Sequence, residues 1–365
     1  MRLIVIYYIY PLCGGEHMNL SEPFSTIIAE LHRTSRSTEA FQKQNTYFHI
    51  GANPFLVLWE IENQGDPFRV TQVTWNNAPV AAVSQPGGST RTGIHQHDYI
   101  ELMYVVKGRF SQNIAGTDYT FSERDIVFIN HGIMHYDYLS ENECCVIFLA
   151  IPNELFYHLF QNSIHSDCDN FIASTLLKHS NDYSYLHGTP KDMLGGRSSE
   201  AERSISELIK EISRTEPGSM HIFKGYLLRL VHYLAREYRF HMQSHTAQEL
   251  RRLLYEEIAN EIRSNCSNIT IAQLQEHFYF NRDYFNRLIS DFSGYTFREL
   301  RQQIRLESAA DYLLTTDSTI KDIALSVGYE NQAFFYRIFT AAYGMTPRQY
   351  RTHFSGNDKS HKLDG

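Results

Sequence analysis

Between about residues 48 and 151, short runs of β-branched and aromatic residues are separated by Gly, Asn, Pro and Ser. The runs are VLWEI, FRVTQVTW, YIELMYVV, YTFSERDIVFI and CCVIFLAI. Many short strands with turn signals between them, and no long helical period, are typical of a small barrel or sandwich. We therefore predict a β domain over residues 48–152.

The apolar positions change to a helical period after this region. Ile205, Leu208, Ile209 and Ile212 recur at helical spacing. Two successive amphipathic helices must bury their apolar faces against the β domain or against a second copy of the chain. Both arrangements stay open, and we favour a homodimer contact for part of this surface. The second stripe, which follows Ser219, consists of Ile222, Tyr226, Leu227, Leu230, Val231 and Leu234.

The last third of the chain contains an internal repeat. Its copies are TIAQLQEHFYFNRDYFNRLI and TIKDIALSVGYENQAFFYRIF. In each copy a helix begins after a Thr N-cap, a short turn follows, and a second helix begins after an Asn N-cap. This is the helix-turn-helix pattern. The two Asn caps, Asn281 and Asn331, lie 50 residues apart. We predict that the second helices enter successive major grooves on one face of DNA, roughly 34 Å apart.

The charge distribution limits how the chain can bind DNA. The formal net charge of −8 argues against a protein that coats nucleic acid. Residues 248–365 contain 14 Lys+Arg and 15 Asp+Glu, so DNA binding there would depend on a few well-placed arginines. A length of 365 residues favours two domains. Five cysteines without a C-x-x-C pair favour a reducing cytoplasm.

The N-terminal residues contain one apolar run, Leu3–Tyr10, which is too short to span a bilayer. No small-residue cleavage site follows it, so we expect no membrane partner. The codons for Gly14-Gly15-Glu16 can spell a ribosome-binding sequence just upstream of Met18. Our hypothesis is that translation starts at Met18 and that residues 1–17 are not translated.

A cluster of histidines precedes and follows the strand YIELMYVV. His95, His97 and Glu101 have H-x-H-x3-E spacing, Gly108 follows, and His135 comes later. Residues two apart in a strand share a face, so the side chains of His95, His97 and Glu101 are predicted to point the same way, as is that of Tyr99. Imidazole and carboxylate ligands suit zinc, iron or manganese. Three interpretations stay open: an effector pocket, a divalent metal site, or hydrogen-bonded core residues.

The C-terminal block contains the segments RLESAADYLL and STIKDIALSVGYENQAFFYRIFTAAYGMTPRQYR, in which G-M-T-P is followed by Tyr350-Arg351. In these segments it resembles the AraC/XylS family of transcription regulators, and G-M-T-P with Tyr350-Arg351 is the most specific part. The resemblance implies that the second helix of each copy reads bases. Arg pairs well with guanine, and Asn or Gln with adenine. The matching residues are Asn281, Arg282, Asp283, Asn286 and Arg287 in the first copy and Gln332, Ala333, Tyr336 and Arg337 in the second.

The resemblance implies an α+β protein, in which a cupin-like β-barrel is followed by two amphipathic helices and an all-α double helix-turn-helix domain. It also implies a cytoplasmic regulator that binds promoter DNA, RNA polymerase and a small-molecule effector, with a carbohydrate as the leading class. The aromatic residues Trp59, Trp75, Tyr99, Tyr104, Tyr136 and Tyr138 are candidates to stack on a sugar ring.

The chain has no Walker loop, nucleophile motif or dinucleotide fingerprint, so we predict that it is not an enzyme. The alternative is a metal-dependent cupin enzyme fused to a DNA-binding module. The predicted organisation is an N-terminal segment (1–47), the barrel (48–152), a helical coupling and dimerisation region (153–240), a linker (241–248), the DNA-binding domain (249–353) and a disordered tail (354–365).

Overall fold

A computed structural model describes residues 24–37, 53–62, 67–84, 91–139, 142–160, 167–177, 182–191, 199–214, 216–278 and 280–355. The chain divides into an N-terminal unit, Met1–Leu250, and a C-terminal unit, Arg251–Gly365. The predicted start at Met18 lies outside the described residues. Of the predicted disordered tail, 354–365, the first two residues belong to a helix that ends at Ser355, and the others lie outside the described residues. The fold is mixed α+β, with an antiparallel sheet in the first unit and helices alone in the second.

The N-terminal unit contains the strands, all in one connected set of ladders. The main order is β1-β4-β3-β2-β9-β5-β7-β10-β11, with β6 and β8 paired to β5. All described ladders are antiparallel except β1 with β4. The bounds are β1 Arg36–Ser37, β2 Phe55–Ile61, β3 Phe68–Thr74, β4 Val80–Ser84, β5 Tyr99–Ile114, β6 Thr117–Ser122, β7 Ile126–Ile129, β8 His135–Asp137, β9 Cys144–Pro152, β10 Asp182–Pro190 and β11 Tyr238–Thr246.

The long strand β5 joins two parts of the sheet. Its first half pairs with β7 and β9, and its second half pairs with β6 and β8. A register irregularity between Val105 and Lys107 marks the change, because a bulge bends a strand. Gly108 follows with a φ of 76°, and its Cα lies so close to the Glu143 carbonyl that a Cβ would overlap it. The residue after the bulge therefore has to be glycine.

Helices cover one face of this sheet. The helices of the unit are α1 Phe24–Thr34, α2 Asn153–Phe160, α3 Asp167–Leu177, α4 Glu200–Ser213 and α5 Ser219–Glu237. Alternate β5 residues, Ile100, Leu102 and Tyr104, join these helices in one hydrophobic core. Tyr99 and Glu101, which alternate with them, face the other side of the sheet. That opposite face carries the candidate ligand site.

The apolar stripe of α5 is largely used within the unit's own core. Leu227, Leu230, Val231 and Leu234 are fully buried there, while Ile222 is 48% exposed. Of the two arrangements left open by the sequence, core packing therefore accounts for most of the stripe.

Glu202 ties α4 to the sheet. Its carboxylate accepts hydrogen bonds from the Tyr104 hydroxyl (2.9 Å), from Arg124 Nε (2.8 Å) and from the Ser199 backbone N–H (2.9 Å). The Ser199 side chain in turn accepts from the Glu202 backbone N–H, which completes a capping box. One buried carboxylate thus caps α4 and connects it to β5 and to the turn before β7.

Two predicted segments are corrected by the structure. Residues 241–248 were predicted as a linker, but β11 continues to Thr246, and α6 begins at Ala247. The predicted helical region 153–240 also contains a strand, β10, which pairs with β11 along its whole length and with β7. Because β11 lies at the edge of the sheet and is mostly exposed, its polar residues face solvent, and no apolar alternation marks it as a strand.

The C-terminal unit is all helical. Its helices are α6 Ala247–Ser264, whose first four residues precede the division at Arg251, α7 Ile271–Phe278, α8 Arg282–Ser293, α9 Phe297–Thr315, α10 Ile320–Ser326, α11 Gln332–Tyr343 and α12 Pro347–Ser355. The predicted caps are confirmed: Asn281 Oδ1 accepts from the Tyr284 N–H (2.8 Å), and Asn331 Oδ1 accepts from the Phe334 N–H (2.9 Å). The helix α9 packs against α8, α10 and α12 and so connects the two copies.

The structural repeat extends beyond the predicted one. The helices α8 and α11 end at glycines in the left-handed conformation, Gly294 and Gly344. Thereafter Arg301 donates to the Ile269 carbonyl (2.6 Å), and Arg351 donates to the Ser318 carbonyl (2.8 Å). Each arginine thereby connects the third helix of its copy to the residue that precedes the Thr cap of the first helix in that copy. No described helix combines the length and the hydropathy that a membrane-spanning segment needs.

Candidate DNA-binding surface and ligand site

The second helix of each copy presents a polar face to solvent. In α8, Arg282, Asp283 and Arg287 are exposed, as is the cap Asn281, and Asn286 is half-buried. In α11, Gln332, Ala333 and Arg337 are exposed, and Tyr336 is half-buried. Phe285 and Phe335 turn the opposite way into the core. This division leaves the predicted base-reading side chains accessible.

One aromatic residue of α11 lies at the surface. Phe334 is 39% exposed, whereas its neighbour Phe335 is buried. The guanidinium carbon of Arg337 lies 5.1 Å from the centre of the Phe334 ring. A cation over an aromatic face is attracted to it. Phe334 therefore restricts the position of an exposed arginine on α11.

A cationic cleft adjoins the start of α11. It has a volume of about 520 Å³ and lies between α10, α11 and α12. Lys321 and Arg348 were not among the residues predicted from the sequence, although both lie in the first turns of helices that follow a threonine cap. The cleft is lined by Thr319, Ile320, Lys321, Gln332, Tyr336, Arg348, Arg351 and Thr352.

Three of the four predicted metal ligands come together in the N-terminal unit. His97, Glu101 and His135 are buried, and each can offer one ligand atom such that all three atoms lie within 4.8 Å of one another. Glu101 Oε2 lies 3.6 Å from His97 Nε2, and Glu101 Oε1 lies 3.6 Å from His135 Nε2. Both Nε2 atoms and Glu101 Oε1 have no hydrogen-bond partner among the described residues.

Backbone hydrogen bonds determine which nitrogen of each histidine faces the site. His97 Nδ1 donates to the Tyr99 carbonyl (2.9 Å), and His135 Nδ1 donates to the Ile133 carbonyl (3.0 Å). A carbonyl only accepts, so each Nδ1 carries the proton, and each neutral imidazole keeps its lone pair on Nε2. Two imidazole lone pairs and a carboxyl group therefore face one another.

Burial opposes charge in this cluster. Burial, with a smaller contribution from neighbouring His95, lowers the pKa of His97 to about 3. The pKa of His135 is lowered well below its usual value for the same two reasons. Burial, with a smaller contribution from Asp137, raises the pKa of Glu101 to about 8. On their own, all three groups thus favour their uncharged forms at neutral pH.

His95 and Tyr99 occupy the edge of this cluster. His95 and His97 were predicted to share a strand face with Glu101. In the structure β5 begins at Tyr99, after both histidines, and His95 makes only an isolated bridge with His135. The His95 ring lies 4.2 Å from the His135 ring, but it is not part of the three-ligand group. Tyr99 stacks on His97, with ring centres 4.1 Å apart and a 9° angle between planes. It thereby holds the His97 ring in place.

The aromatic residues expected to line a sugar pocket are divided between the two faces of the sheet. Tyr104 lies in the core shared with the helices and donates to Glu202. Trp75 packs against Phe223 of α5. The prediction is therefore wrong for these two residues, because alternate residues of a strand face opposite sides.

Comparison with known proteins matches both units. A family model described as an AraC-like ligand binding domain matches residues 77–231, and a helix-turn-helix domain model matches residues 274–353. Together they span more than half of the chain. The chain belongs to the AraC family of transcription regulators. It is accordingly a transcription regulator with a ligand-binding domain and not an enzyme, which decides against the alternative of a cupin enzyme fused to a DNA-binding module.

Individual relatives of this AraC-family chain are distant. It is 22% identical to the HTH-type transcriptional activator RhaR of Pectobacterium atrosepticum, over 72% of this chain and 86% of that protein. It is 28% identical to the regulatory protein PocR of Salmonella typhimurium, over 26% of this chain and 30% of that protein. The solved C-terminal domain of AraT, a response regulator from Geobacillus stearothermophilus, is 33% identical, with a TM-score of 0.26, over 27% of this chain and 84% of that one.

Proposed function

We propose that the chain regulates transcription by reading promoter DNA with α8 and α11, under the control of a small molecule bound in the N-terminal unit. The observation that carries the DNA-reading role is the repeated geometry of the two helices. Both begin at an Asn cap, bury one phenylalanine at the same offset, Phe285 or Phe335, and expose an arginine, Arg287 or Arg337. The proposed base-reading residues are those predicted from the sequence: Asn281, Arg282, Asp283, Asn286, Arg287, Gln332, Ala333, Tyr336 and Arg337.

The cationic cleft supports separate roles for phosphate-binding and base-reading residues around α11. Lys321, Arg348 and Arg351 place three positive charges beside Gln332 and Tyr336. Phosphate contacts orient a protein on the duplex, whereas contacts to base edges provide specificity. We propose that Lys321 and Arg348 bind DNA phosphates, so that Gln332 and Arg337 can reach bases.

Arg337→Ala is expected to weaken binding to the specific operator by about 1–3 kcal/mol and to relax the preference at one base position. The reason is that a guanidinium can donate two hydrogen bonds to guanine, whereas alanine cannot. Electrophoretic mobility shifts on the operator and on single-base variants of it measure both effects. The matched control is Arg252→Ala, since Arg252 is an exposed arginine of α6 outside the repeats. A uniform loss on specific and scrambled DNA would contradict base reading by Arg337.

The proposed effector site consists of His95, His97, Tyr99, Glu101 and His135. Its support is the group of buried acceptor atoms that lack partners among the described residues, because a buried polar atom normally has one. Hydroxyl groups donate hydrogen bonds to such acceptors. We therefore propose a hydroxyl-bearing effector, with a carbohydrate as the first class to examine.

A carbohydrate effector is expected to raise the melting temperature of the N-terminal unit by several degrees at saturating concentration, because a ligand that binds only the folded state stabilises it. Trp59 and Trp75 are the two tryptophans of the chain and both belong to this unit, so their fluorescence reports its unfolding. A panel of monosaccharides and sugar acids is screened with the native chain and with His135→Ala. A sugar that stabilises both proteins equally would place its site elsewhere.

We further propose that the chain acts as a homodimer, contacts RNA polymerase, and works in the cytoplasm, where promoter DNA is found. Similarity to RhaR, named as a transcriptional activator, supports activation as the sign of regulation. The exposed part of the predicted α5 stripe, Ile222, is the residue of that stripe left available for a contact between copies.

A further inference from the structure

The cluster of His97, Glu101 and His135 brings three ligand atoms within 4.8 Å of one another. Apart from a protonated Glu101 carboxyl, none of these atoms carries a hydrogen-bond donor, because both histidine protons lie on Nδ1. We propose that these three residues bind one divalent first-row transition metal ion, such as Zn²⁺ or Fe²⁺. This inference rests on the proposed function in one respect, since the ion would anchor the proposed effector.

The donor set identifies the class of ion. Two imidazole nitrogens and one carboxylate suit zinc, and with open positions they suit non-haem iron. Mg²⁺ and Ca²⁺ prefer oxygen ligands alone, and Cu⁺ prefers sulfur. Cys144 and Cys145 are buried in β9 and are not members of the cluster. The residues therefore favour a borderline divalent ion over both hard and soft ones.

The distances suit a metal ion. Each 3.6 Å pair joins one oxygen of Glu101 to the Nε2 atom of one histidine. An atom 2.1 Å from both members of such a pair subtends them at about 118°, close to a tetrahedral angle.

The ligands are oriented before any ion arrives. The Nδ1–H of each histidine is held by a backbone carbonyl, and Tyr99 stacks on the His97 ring. Metal-binding histidines usually have such a partner on the other ring nitrogen, because it sets the tautomer and the ring direction. His97 precedes β5, Glu101 lies within it, and His135 begins β8, so the ordinary sheet fold is enough to bring the ligands together.

Three protein ligands leave at least one coordination position open for another molecule. An oxygen of a hydroxyl-bearing effector can fill that position, with His95 and Tyr99 beside it. The lone pairs of His97, Glu101 and His135 would then bind the ion, so an effector hydroxyl would bind the ion in place of a direct hydrogen bond to them. The ion would anchor a ligand without performing catalysis.

The test uses the full chain after dialysis against a chelator, titrated with Zn²⁺ and, in parallel, with Co²⁺, whose visible absorption reports its ligands. We expect one ion per chain and a rise in melting temperature of about 5 °C or more at roughly 100-fold excess over the dissociation constant. Mg²⁺ is expected to produce neither effect.

Two variants test the ligand assignment. Glu101→Gln keeps the side-chain volume but removes the carboxylate, and His135→Ala removes an imidazole. Each is expected to weaken Zn²⁺ binding by at least about 100-fold. The matched control is His221→Ala, since His221 is an exposed histidine of α5, and its affinity for Zn²⁺ should equal that of the native chain. Because Glu101→Gln removes a buried acid, it is expected to fold even if His135→Ala does not.

The outcomes separate this inference from the proposed function. No binding of Zn²⁺ or Co²⁺, or binding that Glu101→Gln leaves unchanged, overturns the metal site. A protein that binds operator DNA and a sugar equally well with and without chelator overturns the ion's role as an anchor for the effector, but leaves the regulator intact. A protein that binds one Zn²⁺ at these residues, but no DNA and no effector, supports the metal site and overturns the proposed function.

Discussion

Replacing Glu202 by alanine is expected to destabilise the N-terminal unit by roughly 3–5 kcal/mol, because removing one partner of a buried ion pair leaves the others uncompensated. Glu202 is buried, and its carboxylate accepts from Tyr104, Arg124 and the Ser199 backbone. After the change, the Tyr104 hydroxyl is left fully buried without its acceptor, and α4 loses its capping box. Each of these losses alone costs about 1 kcal/mol or more.

Urea unfolding followed by tryptophan fluorescence measures this effect, because both tryptophans belong to the N-terminal unit. The midpoint is expected to fall by about 1 M or more. The matched control is Glu200→Ala on the same helix, where the exposed pair with Arg203 contributes less than about 1 kcal/mol. Equal midpoints for the two variants would show that Glu202 does not hold α4 to the sheet.

The parts of the fold that could be predicted are those specified by local pattern. The runs FRVTQVTW and CCVIFLAI form β3 and β9, as predicted. They could be predicted because β-branched and aromatic composition, with turn residues on either side, is a local feature of the sequence. The Asn caps at 281 and 331 were predictable for the same reason, because a cap bonds to a backbone N–H three residues away.

The parts that could not be predicted depend on partners far along the chain. The polar strand β11 exists because β10 pairs with it, and no apolar alternation marks either one. The Glu202 connections join residues 78 and 98 positions apart, which no sequence spacing reveals. In the candidate site, the spacing of His97 and Glu101 predicted correctly that their side chains lie together. The exclusion of His95 from the three-ligand group could not be predicted, because it depends on where β5 begins.

The turn of the second helix-turn-helix copy gives the sharpest test of the C-terminal unit. Gly328 has a φ of 91°, and a Cβ there would lie 2.6 Å from the Ser267 carbonyl oxygen and 2.7 Å from Arg305 Nη2. Neither neighbour is free to move. Arg305 donates to the carbonyls of Cys266 and Ser267, and its guanidinium lies 5.3 Å from the centre of the Tyr329 ring.

Gly328→Ala is therefore expected to destabilise the C-terminal unit by about 3 kcal/mol or more, since the left-handed backbone costs roughly 1–2 kcal/mol and overpacking adds about 1–3 kcal/mol. Gly344→Ala is the matched control. Gly344 has a φ of 71° but nothing within 4 Å of an added Cβ, so it should lose the backbone contribution alone. Far-UV circular dichroism measures the loss of helix, while tryptophan fluorescence should stay unchanged in both variants.

If the two alanine variants lost equal stability, the close contact of the Gly328 turn with Ser267 and Arg305 would be refuted. If only Gly328→Ala also lost operator binding, the packing of this turn would be what holds α11 ready to read DNA.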